Sequence, residues 1–138
     1  MGLDTYLYGI PDDVDLDEFA HATTTPPNTI ELYWRKWYYL FDWLSHNTAD
    51  ADIYYPHIKD GEQEHYDYDL NCAYIAVTLD DLEILLEQTK QLATNQLLGV
   101  SDTTEYGTSA SDDISDIETI IKTIKDNPHH TFYFYNWY

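Results

Sequence analysis

The sequence predicts an α+β fold in which a small sheet of about three strands packs with about three helices, in a single domain spanning residues 1–138. Phenylalanine alternates with tyrosine along residues 131–138, as in a strand with one buried face. Isoleucine recurs at three- and four-residue steps along residues 114–124, as in an amphipathic helix. A length of 138 residues suits one domain with one hydrophobic core.

The first strand is predicted at Leu3–Tyr8, a short apolar and aromatic run that ends at Gly9 and Pro11. An acidic stretch and a threonine- and proline-rich stretch follow, and we interpret them as a surface loop with room for one helical turn. Asn28 is then a favourable N-cap, with Glu31 three residues later in capping-box position. These residues predict the start of a helix.

A long helix is predicted for residues 29–46, because its apolar residues recur at three- and four-residue steps and share one stripe. They are Ile30, Tyr33, Trp34, Trp37, Phe41 and Leu44. Tyr39 and Trp43 lie on another side with Lys36, so they are candidate exposed aromatics for contact with a partner. Burial of both rings under the sheet or a loop is the more ordinary alternative.

Residues 47–69 are predicted to form a long acidic loop, since they are the least regular stretch of the chain. Loops of this length in compact domains are usually functional or disordered, which makes this one the first place to seek a binding site. A buried central strand is predicted directly after it, at Leu70–Val77.

The second helix is predicted to begin with Thr78 and Asp81 as caps and to extend to about Leu98, with leucines on its buried face. A third helix is predicted to begin near Asp112, where acidic residues in the first turn suit the helix dipole. The last strand is predicted at Thr131–Tyr138.

Acidity is the dominant compositional feature, with 26 Asp and Glu against 6 Lys and Arg and a formal net charge of -20. Such a field repels phosphate backbones and anionic lipid, so direct binding to DNA, RNA or membranes is not expected. Hydrophobic residues make up 43% of the chain and aromatic residues 16%, which is far richer than a disordered acidic tail. We therefore expect a folded protein.

The lone cysteine, Cys72, cannot form an internal disulfide, and its apolar neighbours favour a buried, inert thiol. The sequence also contains neither a signal-peptide pattern nor a stretch long enough to span a bilayer. These features predict a cytoplasmic protein.

Catalytic and metal-binding motifs are absent from the sequence, which has no HExxH, CxxC or glycine-rich phosphate loop. Glu64 and His65, near Asp67 and Asp69, form the best cluster for a metal, but their spacing matches no established motif. Incidental histidines on an acidic surface are the favoured interpretation. No catalytic residue, metal or cofactor is predicted, and a small metal-dependent enzyme is a third hypothesis.

Carboxylates on a rigid fold can occupy lysine and arginine sites that otherwise hold phosphates, so the acids are candidate contacts with a basic protein. The candidates, with the two aromatic residues named above, are Asp12, Asp13, Asp15, Asp17, Glu18, Asp50, Asp52, Asp60, Glu62, Glu64, Asp67, Asp69, Asp80, Glu83, Glu87, Asp113 and Asp116. For any one of them, a solvated surface charge is the ordinary alternative.

The chain resembles a family of small phage and prophage proteins that open with MGLDxYL and carry a YWRK helix. The resemblance rests on residues 1–7, on Tyr33–Lys36 ahead of Trp43, and on a cysteine-containing strand that leads into a leucine-rich helix at Cys72–Leu86. It implies a phage origin and a shared fold, and it supplies no catalytic residues. The chain departs from the family in its extreme acidity and in a shorter segment before the first predicted helix.

These observations lead to the hypothesis of a phage-encoded, non-enzymatic inhibitor that mimics nucleic acid. Its partner would be a basic nucleic-acid-binding protein of host defence, such as a CRISPR effector or a restriction enzyme. By analogy, small acidic phage proteins often have this role. The alternative is a phage accessory or scaffolding protein that self-associates, for example as a homodimer, with acidity serving solubility.

Overall fold

The computed structural model describes residues 2–47, 53–56, 72–97 and 110–138. Its helices and strands, in chain order, are β1 (Asp4–Pro11), α1 (Leu16–His21), β2 (Ile30–Arg35), α2 (Tyr38–Asn47), β3 (Ile53–Tyr54), β4 (Tyr74–Ala76), α3 (Leu79–Leu97), α4 (Ala110–Asp126) and β5 (His130–Trp137). The chain divides into two compact units. The first comprises residues 1–77 and 129–138 and contains the sheet with α1 and α2, whereas the second comprises residues 78–128 and contains α3 and α4.

The strands of the described residues form one antiparallel sheet in the order β2-β1-β5-β4-β3. In the two longest ladders, Tyr6 lies opposite both Tyr33 and Tyr135. The amino-terminal and carboxyl-terminal strands are therefore central neighbours. β2 and β3 form the two edges of the sheet.

One face of the sheet carries a hydrophobic core of the first unit. Leu7, Phe134 and Ile75 are almost completely buried and lie in register across β1, β5 and β4. Gly9 belongs to the same face, where a β-carbon would come within 2.6 Å of the Phe132 ring. This close approach explains why the strand has a glycine there.

The second unit is a pair of packed helices with a defined start. The Thr78 hydroxyl accepts the Asp81 backbone N–H at 3.3 Å and donates to the Asp81 carboxylate at 2.9 Å, so the predicted cap of α3 is present. Leu82 and Leu85 are buried on α3, as is Ile117 on α4. Central residues of the apolar stripes predicted for these helices are therefore buried, whereas their end residues Leu79, Leu92, Ile114 and Ile124 are half-buried.

The prediction of about three strands and three helices is wrong, because the described residues form five strands and four helices. The main cause is the helix predicted for residues 29–46. Residues 30–35 pair with β1 as strand β2, and helix α2 begins only at Tyr38. Asn28, predicted as an N-cap, and Lys36 both have positive φ angles, 66° and 59°, and they bracket β2.

The region predicted as a long acidic loop contains the short strand β3, which pairs with β4. Most of its other residues, 48–52 and 57–69, lie outside the described residues. Cys72, predicted within a strand, lies in a turn before β4 with a φ of 59° and is half-buried. The single-domain prediction stays a prediction.

Candidate functional site

The face of the sheet opposite Leu7, Ile75 and Phe134 is lined by tyrosines. Ile10, Phe19 and Tyr74 form a second buried cluster on this face. Side chains alternate between faces along a strand, and the strand registers align the tyrosines across the sheet. We call this surface the tyrosine face and define it by Tyr6, Tyr8, Tyr33, Tyr54, Tyr74, Tyr133 and Tyr135. Tyr33 is exposed and Tyr74 is buried, whereas the other five tyrosines are half-buried.

Helix α1 covers part of the tyrosine face through Phe19. The Phe19 ring packs edge-on against Tyr8 and Tyr74, with ring centroids 5.1 and 6.1 Å apart. Tyr74 in turn packs against Tyr135 at 4.7 Å. Tyr33, on the edge strand, remains 50% exposed. The face is therefore closed near α1 and open toward β2.

Two hydroxyls of this face donate hydrogen bonds to carboxylates. The Tyr33 hydroxyl donates to Asp4 at 2.6 Å, which raises the pKa of Tyr33. The Tyr54 hydroxyl donates to Asp17 of α1, and this bond raises the pKa of Tyr54 to about 12. Burial raises the pKa of Tyr8 as well. At neutral pH these phenols are protonated, so they can serve as binding groups but not as nucleophiles.

A shallow cavity of about 480 Å³ lies at the open end of the tyrosine face. Its lining residues are Gly2, Asp4, Tyr33, Arg35, Trp137 and Tyr138. Arg35 and Trp137 lie opposite Asp4 on its two neighbouring strands, so a cation, an anion and a ring form one row across the sheet. Trp137 is 57% exposed. Exposed aromatic and arginine side chains are typical of protein-binding surfaces.

The acids that follow β1 are exposed and lie in and before α1. We call them the β1–α1 acidic segment: Asp12, Asp13, Asp15, Asp17 and Glu18. Within the part of the chain that the structure describes, no lysine or arginine forms an ion pair with any of them. Asp17 lies 3.5 Å from the His21 ring nitrogen, and Asp12 accepts a 3.3 Å hydrogen bond from Thr131. Their negative charge is therefore largely uncompensated by neighbouring cations.

The candidate acids of the second unit differ in exposure. The three on α3 are exposed: Asp80, Glu83 and Glu87. Of these, Glu83 lies 3.9 Å from Lys125 of α4. On α4, Asp113 is only 3% exposed and Asp116 is half-buried. Asp113 is therefore not available as a surface charge.

Tyr39 and Trp43, the predicted aromatic contacts, are half-buried on α2. The large aromatic residues that are exposed within the described ranges are Tyr38, at the start of α2, and Tyr33, Trp137 and Tyr138 outside this helix. Sequence reasoning missed Tyr33 because it was assigned to the buried stripe of a helix. The period-two alternation of residues 30–35 was the signal that could have found it.

The candidate acids of the predicted loop lie outside the described residues, namely Asp50, Asp52, Asp60, Glu62, Glu64, Asp67 and Asp69. The same holds for His65 and the metal cluster considered around it. Among the residues that are described, no group of three or more His, Cys, Asp or Glu side chains could hold a metal ion. Nor does any helix in those ranges combine the length and apolarity that a membrane span requires.

Comparison with known proteins does not assign the chain to a family. No protein-family model matches the sequence, and no curated protein or solved structure matches it either.

Proposed function

We propose that this protein is a non-enzymatic inhibitor that binds a basic nucleic-acid-handling protein and blocks its nucleic-acid site with carboxylates. The observation that carries the proposal is a set of exposed acids without a lysine or arginine partner among the described residues. They are Asp12, Asp13, Asp15, Asp17, Glu18, Asp80 and Glu87. Uncompensated charge opposes folding by self-repulsion, and a basic partner would relieve that repulsion on binding.

The β1–α1 acidic segment is the principal contact in this proposal. It is attached to the tyrosine face through Phe19 and through the hydrogen bond from Tyr54 to Asp17. Charge and aromatic area therefore occur together in the first unit. Carboxylates can accept paired hydrogen bonds from arginine, whereas tyrosine and tryptophan supply most of the binding free energy at many interfaces.

The acids of α3 have a different role in this proposal. Asp80 and Glu87 add to the long-range field that accelerates encounter with a basic protein. Because field strength depends on total charge, their individual neutralisation should slow association modestly. Neutralisation of a direct contact should instead accelerate dissociation.

The origin of the protein and the class of its target are the remaining parts of the proposal. The resemblance to small phage proteins favours a phage-encoded inhibitor that acts in the host cytoplasm. A CRISPR effector or a restriction enzyme then fits as the target, because both hold nucleic acid in basic channels.

Capture from a host lysate at low salt, followed by a salt gradient, tests the proposal. The bait is compared with D13N/D15N/E18Q, which neutralises three exposed acids of the β1–α1 acidic segment but leaves Asp17 bonded to Tyr54. The matched control, D80N/E87Q/E118Q, removes the same charge from exposed positions of the second unit. Circular dichroism establishes that each variant is folded.

We expect the parent protein to retain a nucleic-acid-binding protein that elutes only at high salt. Added DNA or guide RNA should release this captured protein, because both occupy the same site. D13N/D15N/E18Q should lose this capture, and the control should keep most of it. Equal loss in both variants would contradict a specific contact at the β1–α1 acidic segment. Undiminished capture by both would overturn the proposal.

A further inference from the structure

Among the described residues, no strand pairs with the outer backbone edge of β2. The Lys36 N–H donates to the Leu3 carbonyl at 2.6 Å. The register of β1 with β2, continued by one residue, places Leu3 and Lys36 opposite each other, so they form a hydrogen-bonded pair. In an antiparallel ladder every second residue exchanges hydrogen bonds with the neighbouring strand. Residues 30, 32 and 34 therefore bond to β1. The N–H and carbonyl groups of Glu31, Tyr33 and Arg35 point away from the sheet.

The hydrogen bonds on the other side of β1 support this assignment. Asp12 N–H donates to the His129 carbonyl at 3.0 Å, and the register places these two residues opposite each other. Even-numbered residues of β1 therefore bond to β5, and odd-numbered residues bond to β2. The two ladders of β1 agree, so the open groups of β2 are those of its odd-numbered residues.

The side chains of β2 are self-complementary about Tyr33. When a second copy pairs antiparallel to β2 with Tyr33 on the two-fold axis, Glu31 of each copy lies opposite Arg35 of the other. Leu32 of each copy likewise lies opposite Trp34 of the other. Opposite charges and apolar residues in directly opposed positions stabilise antiparallel pairs.

We propose that two copies of this chain dimerise through β2, which continues the sheet of one copy into the sheet of the other. The pairing places the open groups of residues 31, 33 and 35 in about six backbone hydrogen bonds. Glu31 and Arg35 are exposed, and neither forms an ion pair within the described part of the chain. Leu32 and Trp34, which are half-buried in a single chain, come to lie opposite each other across the pair.

Charged side chains on an edge strand commonly prevent unwanted pairing. Like charges at positions 31 and 35 would do so here, because the pairing places position 31 of each copy opposite position 35 of the other. Glu31 and Arg35 have opposite signs and lie two residues on either side of Tyr33, so the same symmetry converts them into two ion pairs. The β2 edge therefore favours a second copy over a strand that would place a like charge opposite Glu31 or Arg35. This dimer does not depend on the proposed inhibitor function.

Charge exchange at Glu31 and Arg35 tests the dimer. E31R and R35E each place like charges opposite one another, and E31R/R35E restores opposite charges with the order reversed. A mixture of the two single variants also restores them, because one copy then carries two arginines and the other two glutamates. Dissociation constants are measured by analytical ultracentrifugation at physiological ionic strength, and circular dichroism checks that each variant folds.

We expect the parent to dimerise, each single variant to dissociate about tenfold or more readily, and both the double variant and the mixture to recover. If repulsion between two negatively charged chains alone governed dimerisation, the single variants would differ from each other. E31R makes the chain two charges less negative and should then dimerise better, while R35E should dimerise worse. That pattern, equal behaviour of all variants, or a monomeric parent would each overturn the proposal.

Hydrogen exchange supplies an independent test that requires no substitution. The amide protons of Glu31, Tyr33 and Arg35 should become protected as protein concentration rises through the dissociation constant. The amides of Leu32 and Trp34, which bond to β1, should be protected at every concentration. Concentration-independent exchange at all five amides would overturn pairing through this edge.

Discussion

Thr5 and Asn136 form a buried polar pair on the core face of the sheet, and Thr5→Val should destabilise the fold. Both residues are fully buried, and the Thr5 hydroxyl donates to the Asn136 side-chain oxygen at 2.8 Å. They lie opposite each other on β1 and β5, in a pair without mutual backbone bonds, where side chains approach most closely. The substitution keeps the shape of the side chain and removes the donor.

The free-energy cost of Thr5→Val depends on the polar atoms of Asn136 that remain buried without a hydrogen bond. The Asn136 side-chain nitrogen already has no hydrogen-bond partner among the described residues, and Thr5→Val leaves its oxygen without the threonine donor as well. An unsatisfied buried polar group costs about 1–3 kcal/mol. At a slope of about 2 kcal/mol per M, a loss of about 2 kcal/mol lowers the midpoint of urea unfolding by about 1 M.

Urea unfolding followed by circular dichroism measures this effect. Thr131→Val makes the same change at an exposed position of β5, where the hydrogen bond to Asp12 is a long 3.3 Å, and should shift stability by less than about 0.5 kcal/mol. The double variant Thr5→Val/Asn136→Val removes both polar partners and should recover most of the loss. Equal midpoints for Thr5→Val and Thr131→Val, or no recovery in the double variant, would contradict a stabilising role for the Thr5–Asn136 hydrogen bond.

Three further predictions use the same unfolding assay. Because the pKa of Tyr54 is raised from 10.0 to about 12, the unfolded chain loses this proton at a lower pH than the folded protein, so stability falls as pH rises between those values. The fall should be smaller in Tyr54→Phe, and an identical pH profile in this variant would contradict the account. Gly9→Ala places a β-carbon 2.6 Å from the Phe132 ring and should cost about 1–3 kcal/mol, whereas an unchanged midpoint would show that the ring moves aside. Thr78→Ala removes the cap of α3 and should lower the free energy of unfolding by about 1 kcal/mol, whereas Thr78→Ser keeps the hydroxyl and should keep most of this stability. Equal loss of stability in both variants would argue against capping.

The sequence predicted those elements whose signal is local. The stripe of α4 and the cap of α3 could be read from spacing alone, because helices bond within themselves. The alternation of β5 could be read as well, because Phe132 and Phe134 face the core and Tyr133 and Tyr135 face away. Strand β4 lies within the strand predicted at Leu70–Val77, although it is only three residues long. Strand β3 is two residues long, and only its pairing with β4 defines it.

Residues 30–35 show how two periods can coexist in one segment. Ile30, Trp34 and Trp37 have helical spacing, yet Glu31, Tyr33 and Arg35 are exposed while the residues between them are half-buried. Pairing with β1 decided between these periods, and that long-range contact is invisible to a local pattern. The same error displaced the candidate aromatic contacts from Tyr33 to α2. The acids of the β1–α1 acidic segment were found correctly as surface charges, because their charge alone predicts exposure.

Salt concentration separates the two proposed interactions, because it acts on them in opposite directions. Binding of a basic partner depends on attraction between extended charged surfaces, which weakens as the Debye length falls from about 30 Å at 0.01 M to about 8 Å at 0.15 M. The dimer must overcome repulsion between two chains of charge -20, and the same change in salt screens that repulsion.

The Glu31–Arg35 pairs of the dimer would be in contact, at distances of about 4 Å, so they lie well inside the Debye length at 0.15 M and keep most of their attraction. We therefore expect dimerisation to strengthen and partner capture to weaken over this range. A dimer that dissociates as salt rises to 0.15 M would contradict edge pairing and leave the inhibitor proposal intact. Partner capture that is insensitive to salt would contradict nucleic-acid mimicry and leave the dimer intact.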